Sequence, residues 1–413
     1  MTSLNKSVYD ALINTSLNDV FQAAKDLAPI IKKTELMESP YFSKECNNQV
    51  YLKPENLQIT GAFKIRGAFN KINKLTVAEK ARGVIAASAG NHAQGVAYAS
   101  KLLGVNATIV MPATTPIIKV EATKEHGATV VLFGDSYDDA YNKALTLAQE
   151  HNYVFIHPFD DLDVIIGQGT IAIEILDELA DAHAILVPIG GGGLASGVAL
   201  AAKHINPNIK IIGVEPDGAA CMKYSLAKNK VSTLDYVDTV ADGTAVKTPG
   251  ELTFSFIRQY VDEVITVSDF DIMATILLLI EKHKLISEGA GVLALAGLKK
   301  LNFHNKKVVS IISGGNIDIS TISAIINKAL VVRGRVFCFS VNLPDKPGQL
   351  LKVAEILASQ SANVINLNHN QAKVTNSYKQ VELEVTVETN GDEHIEQITT
   401  ALEQHNFIIQ KIY

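Results

Sequence analysis

Cysteine is scarce. Cys46, Cys221 and Cys338 lie far apart in a chain of 413 residues, with no C-x-x-C pair. That excludes a disulfide framework and a thiolate zinc site, and it fits a reducing cytosol. No H-E-x-x-H occurs among the 11 histidines. Long apolar runs are also missing. Stretches such as Ile276–Ile280 fall far short of the roughly 18 residues that a membrane span needs. Residues 1–20 are polar and lack the apolar core of a signal peptide. Positive charge is not in excess: 37 basic residues face 43 acidic ones, for a net charge of −6. An overall basic field for nucleic acid or anionic lipid is therefore absent. The expectation is a cytoplasmic enzyme that binds neither nucleic acid nor membrane.

What is present reads as globular: 47% hydrophobic and 19% charged residues. The length suggests two or three domains. Between about residues 50 and 330, short Val/Ile/Leu-rich runs predict buried strands at Val84–Ala87, Ala107–Met111, Thr129–Phe133, Val154–Ile156, Ile185–Ile189, Ile211–Val214, Val264–Val267 and Lys307–Ile312. Most are followed by a segment with helical spacing. Alternating βα units of this kind build a parallel sheet covered on both faces. The stretch is long for one sheet, so two lobes are expected, the smaller at roughly 55–155.

After Val332 the pattern changes. Phe337, Phe339, Val341 and Leu343 alternate with polar residues, as do Val381, Leu383, Val385 and Val387. Period-two alternation predicts an antiparallel sheet with one wet face. Leu350, Val353, Ala354 and Leu357 have helical spacing, and so do Ile395, Ile398 and Leu402. The order β-α-β-β-α-β is that of a small ferredoxin-like α+β domain. The expected division is 1–332 for a two-lobed parallel-sheet α/β catalytic part and 333–413 for the tail.

Strand-to-helix turns carry the candidate chemistry. Lys64, in Thr60-Gly61-Ala62-Phe63-Lys64-Ile65-Arg66-Gly67-Ala68, opens a helix whose positive end helps an amine lose its proton and attack a carbonyl. Taken alone, this window reads as a solvated surface lysine. Gly190, Gly191, Gly192 and Gly193, with Leu194 after them, follow a strand and precede an Ala-rich helix, so several N–H groups can converge on one anion. A flexible turn fits too, as does a dinucleotide fingerprint, Gly190-x-Gly192-x-x-Ala195 with Glu215 on the next strand. In Ser88-Ala89-Gly90-Asn91-His92, Asn91 can donate to a ring oxygen and the backbone can hold a carboxylate. His92 alone reads as structural. In Ser313-Gly314-Gly315-Asn316, Ser313 can meet a heterocyclic nitrogen or be a plain turn serine. An amine nucleophile, a phosphate cradle, a carboxylate turn and a ring-nitrogen partner are all needed by one ligand, pyridoxal 5′-phosphate.

The motifs TGAFKIRGA, SAGNHAQGVA, VPIGGGGLASG, GVEP, SEGAG and SGGN, in this order over residues 60–316, resemble those of the pyridoxal-phosphate enzymes of the tryptophan-synthase-β fold type, and specifically the threonine ammonia-lyases. The tail, with Asp345-Lys346-Pro347-Gly348-Gln349-Leu350, resembles an ACT regulatory domain. The resemblance implies that Lys64 carries the cofactor and is the catalytic base. It places Phe63 against the ring, Asn91 at the ring 3′-oxygen, Gly190 to Gly193 and the Leu194 amide at the phosphate, and Ser313 at the pyridine nitrogen. Ser88, Ala89, Gly90, Asn91 and His92 would take the substrate carboxylate.

The implied reaction is deamination of L-threonine to 2-oxobutanoate and ammonia, and of L-serine to pyruvate. An effector, an amino acid or a nucleotide, is expected at Asp345, Lys346, Pro347, Gly348 and Gln349, or else at Thr60, Gly61 and Gln94. A homotetramer or homodimer is expected. Serine dehydratases and serine racemases are rivals of the same fold. Racemising relatives carry a serine at the position of Ala89, which has no proton to give. A divalent-metal site is not expected, because Glu215 is kept but a second acidic ligand is replaced near Ala220. An NAD-linked oxidoreductase leaves Lys64 unexplained, and Lys64 argues against a non-catalytic amino-acid sensor.

Overall fold

A computed structural model describes residues 11–12, 14–370 and 379–413. Most of the polar stretch read over residues 1–20 lies outside the described residues. The chain divides into two compact units, Met1–Ile317 and Asp318–Tyr413. The sequence placed this division at 332/333, whereas here the helix Ile319–Val332 belongs to the second unit.

In the first unit all the expected strands form, with ends moved by a residue or two. Two further strands, β1 (Met37–Glu38) and β2 (Gln49–Pro54), precede them; the expected ones are β3 (Val84–Ala87), β4 (Ala107–Met111), β5 (Thr129–Leu132), β6 (Val154–Phe155), β7 (Ala184–Pro188), β8 (Lys210–Pro216), β9 (Glu263–Val267) and β10 (Lys307–Ile312). They build two sheets, ordered β1-β2-β10-β7-β8-β9 and β5-β4-β3-β6. The smaller sheet is wholly parallel. In the larger one only β1 and β2 pair antiparallel. The link from β1 to β2 is shorter than the dozen or more residues that a parallel crossover requires.

Strands β3 and β7 are buried along their whole length, as Val/Ile/Leu runs must be when helices cover both faces. Ile185, Val187, Val309 and Ile311 pack with apolar residues of the helices Leu162–Glu178 and Gly193–Ile205. Val84, Ala86, Ile109 and Met111 form the core of the smaller lobe with Ile65, Phe69 and Val96.

The second unit continues with β11 (Val336–Pro344), the helix Gln349–Ser359, β12 (Asn363–Asn370), β13 (Gln380–Glu388), the helix Asp392–Gln404 and β14 (Ile409–Lys411). Its sheet runs β12-β13-β11-β14 with every pair antiparallel. The alternating Phe337, Phe339, Val341 and Leu343 are buried on one face, as expected. The first helix faces the core with Val353, Ile356 and Leu357, while Leu350 is 37% exposed. Spacings of three and four fit either stripe, and packing on the sheet selects between them. Among the described residues no helix is long and apolar enough to cross a membrane.

Candidate active site

Four turns at the carboxyl ends of parallel strands build the site, where ligands of such sheets bind. Lys64 is the first residue of the helix Lys64–Asn73, reached from β2. Its Nζ donates to the carbonyl oxygen of Pro158 at 2.8 Å and lies 5.3 Å from the centre of the Phe63 ring. Burial pushes the Lys64 ammonium down to about 8, while the charge of Glu288 pulls the other way. The amine thus gives up its proton far more readily than an exposed lysine, which helps a nucleophile. The Phe63 amide donates to the Ser313 carbonyl at 3.1 Å, which fixes the entry of this turn against the end of β10.

The helix itself is anchored by charge. Arg66, fully buried, donates to Glu55 through Nε and Nη2 at 2.8 Å each and to Glu174 through Nη1 at 2.6 Å. Lys53 also reaches Glu174, at 2.6 Å. Glu55 follows β2 and Glu174 lies on the helix Leu162–Glu178, so the cluster ties three elements together below Lys64.

The glycine turn leaves β7 and enters the helix Gly193–Ile205. Among the described residues, no protein acceptor is bonded by the amides of Gly190, Gly191, Gly192, Gly193 or Leu194. Five free N–H groups at a helix amino terminus suit a phosphate. Glycine is required here: Gly192 has φ +99°, and a Cβ on Gly191 would sit 2.3 Å from the Phe159 ring. Thr253 Oγ1 donates to the Gly191 carbonyl at 2.6 Å. Asp160 Oδ1 accepts from the amides of Leu252 and Thr253 at 3.0 and 3.1 Å. One loop, Pro158-Phe159-Asp160, therefore holds both the amine and the cradle.

The carboxylate turn joins β3 to the helix Asn91–Leu103. The Gly90 amide donates to Ser88 Oγ at 3.2 Å. The amides of Ala89, Asn91 and His92 have no protein acceptor among the described residues. The imidazole of His92 is buried with Nε2 2.9 Å from the Ile156 carbonyl. Burial, and then the charge of Lys64, push it down to about 3. What His92 offers an anion is its backbone.

Ser313 is nearly buried, and its hydroxyl makes only a 3.3 Å bond to the Ala290 carbonyl. It can turn to a ring nitrogen at little cost. Thr60, Gly61 and Gln94 converge on Asn316. Its Nδ2 donates to the Thr60 carbonyl at 2.7 Å and reaches Gln94 Oε1 at 3.5 Å. A Cβ on Gly61 would meet Asn316 Oδ1 at 2.3 Å.

In the second unit Asp345 to Gly348 are exposed between β11 and the helix Gln349–Ser359, and Gln349 opens that helix. Gly348 caps it at φ +88°. Glu215, weighed as a metal ligand, accepts the amides of Met222 and Lys223 at 2.8 Å each. Among the described residues no group of three or more His, Cys, Asp or Glu side chains is gathered for a metal.

Residue-by-residue reading missed Glu288. Its Oε1 accepts from Asn91 Nδ2 at 2.6 Å, and burial, above all other causes, pushes its carboxyl up to about 7. The motif SEGAG contained it without revealing a role. Pro158 and Phe159 carried no signal at all.

The residues fit pyridoxal 5′-phosphate, since the unbonded amides and the depressed amine are the donors that cofactor takes. Residues 27–314 match the family described as pyridoxal-phosphate dependent enzyme. The chain is 44% identical over 390 residues to an L-threonine ammonia-lyase of Thermotoga maritima, covering 94% of this chain and 97% of that protein. The processed form of threonine deaminase isoform 2 from Solanum lycopersicum superposes with a TM-score of 0.73 at 40% identity, over 77% of this chain and 90% of the other. Maize serine racemase superposes with a TM-score of 0.72 at 36% identity, over 77% and 98%.

Proposed function

The chain belongs to the pyridoxal-phosphate-dependent enzymes, and on that footing we propose that it is an L-threonine ammonia-lyase, turning L-threonine into 2-oxobutanoate and ammonia and L-serine into pyruvate and ammonia. The observation that carries this reading is the Lys64 amine, brought down to about 8 in the same site as the unbonded amides of Gly190–Leu194.

Pyridoxal 5′-phosphate, when bound, supplies an electrophilic carbon that takes amines and a ring that draws electrons from the substrate's α-carbon. The chain supplies the rest. The Gly190–Leu194 amides hold the phosphate, with Phe159 closing one side of the cradle. Asn91 turns an N–H to the ring oxygen and Ser313 its hydroxyl to the ring nitrogen. A neutral hydroxyl, unlike a carboxylate, would not keep that nitrogen protonated, so the bound ring would be a weaker electron sink. Lys64 would hold the cofactor through Nζ, and the same Nζ, once free, would take the substrate's α-proton. The free amides of Ala89, Asn91 and His92 take the substrate carboxylate and fix which α-bond faces Lys64. Ala89 gives no hydroxyl for reprotonation from the opposite face, which separates this site from a racemase.

The second unit is read as the regulatory domain, with an amino-acid effector at Asp345–Gln349 or a nucleotide near Thr60, Gly61 and Gln94. The working enzyme is read as a cytoplasmic homotetramer or homodimer. The deciding experiment measures 2-oxo-acid formation from L-threonine and L-serine, with and without isoleucine, valine, AMP and ADP. Turnover of L-threonine supports the reading, and none with either amino acid overturns it. An effector should shift an apparent affinity about 5- to 150-fold.

A further inference from the structure

Asn91 is the residue assigned to the cofactor ring oxygen, and its amide can face that oxygen with either edge. The surrounding hydrogen bonds leave only one orientation. The Thr60 carbonyl can only accept, so the atom of Asn316 that meets it at 2.7 Å is Nδ2. The same Nδ2 donates to Asn91 at 2.8 Å, so the atom of Asn91 facing it is Oδ1. Nδ2 of Asn91 is then turned the other way, to Oε1 of Glu288 at 2.6 Å. One of its two hydrogens is used there and the second remains for a ligand.

The Asn91–Glu288 pair is closely walled. A Cβ on Gly314 would lie 2.5 Å from Glu288 Oε1 and 3.0 Å from Asn91 Nδ2. The Glu288 amide donates to the Gly314 carbonyl at 3.2 Å, which fixes the backbone from which the carboxyl projects.

We propose that Glu288 is a positioning residue for the cofactor: it locks the Asn91 amide with one N–H free for the ring oxygen, and it sets an ionisable carboxyl one side chain away from that oxygen. The proposal rests on the pyridoxal-phosphate reading of the site. The charged groups facing Glu288 are Lys64 and Lys119, which favour its ionised form, and Asp242, which opposes it. Burial outweighs them and leaves the carboxyl titrating at about 7. A ring oxygen bearing negative charge next to Asn91 would move that midpoint upward. Rising pH then places a negative charge beside the chromophore. The Lys64 nitrogen is itself titratable once bonded to the cofactor, so a step belongs to Glu288 only where Glu288→Gln removes it.

The test follows the visible absorption of the pyridoxal-phosphate-loaded enzyme against pH, together with the dissociation constant of the cofactor at about pH 6. It uses wild type, Glu288→Gln and Glu288→Leu. The wild-type band should change with a midpoint at or above about 7. Glu288→Gln keeps an oxygen that accepts from Asn91, so it should bind the cofactor within roughly threefold of wild type but lack the pH step. Glu288→Leu removes the acceptor and should bind about tenfold more weakly, as for one lost hydrogen bond. A wild-type band that stays flat between about pH 6 and 9 overturns the role of Glu288. So does a Glu288→Gln enzyme that keeps the wild-type step. Wild-type protein that takes up no cofactor at all overturns the pyridoxal-phosphate reading, and this inference with it.

Discussion

The Nζ of Lys64 donates to the carbonyl oxygen of Pro158 at 2.8 Å, so the reactive amine is stationed by a backbone dipole rather than by a carboxylate. A carboxylate partner would hold the proton on and raise the amine's pKa. A carbonyl orients the amine without full charge, and burial then prevails.

Lys64→Ala should lose turnover by more than about 10⁴-fold, because the covalent anchor and the base disappear together. The Gly190–Leu194 cradle should still hold the cofactor weakly. Initial rates with L-threonine, alongside equilibrium dialysis of pyridoxal 5′-phosphate, check both halves. Near-wild-type turnover would rule the assignment out.

The pH dependence of cofactor uptake follows from the same amine. With Lys64 titrating at about 8, the rate at which cofactor-free enzyme gains its visible band should rise with pH and level off above that value. Stability carries the matching sign. The folded-state value lies below the ordinary lysine value of 10.5, so between the two the unfolded chain holds a proton that the folded one has lost. Cofactor-free protein should therefore gain stability across that window relative to Lys64→Met. Urea titrations at several pH values measure it, and a loss of stability across the window would contradict the shift.

Gly191→Ala should weaken cofactor binding at least about tenfold, because its Cβ would meet the Phe159 ring at 2.3 Å. In a Phe159→Ala background the same change should cost much less. Additive losses in this double-mutant cycle would show that the ring is not the obstacle.

Ser313→Asp should keep a proton on the ring nitrogen and make the ring a stronger electron sink. Elimination should slow and abortive amino transfer should increase. Product analysis reads the partition between them, and an unchanged partition would mean that Ser313 is not the ring-nitrogen partner.

Arg66→Met should destabilise the protein by about 3–5 kcal/mol, since it leaves buried carboxylates without their main partner. Both Arg66 and Glu55 are fully buried. The urea midpoint should fall at constant slope. A change within about 0.5 kcal/mol would mean that the cluster does not anchor the Lys64 helix.

Much of this protein was legible one segment at a time. Runs such as Val84–Ala87 specify buried strands, because burial on both faces suits an unbroken apolar run. Alternation from Phe337 to Leu343 specifies a half-wet sheet for the same reason. The glycines at 190–193, with a strand before and a helix after, place a cradle, and Lys64 stands out once that cradle is granted. Other features depend on partners far away along the chain. Leu350 or Ile356 could have completed the helix stripe, and only the facing sheet chooses between them. Lys64 and Pro158 are 94 residues apart, and Asn91 and Glu288 are 197 apart. Local propensity says nothing about such pairs. The sequence by itself determined which elements form and which groups stand at their ends. The tertiary structure decided which of those groups meet, and so which amine is pushed below its ordinary range and which carboxyl above it, because desolvation and hydrogen bonding arise only where packing brings distant segments together.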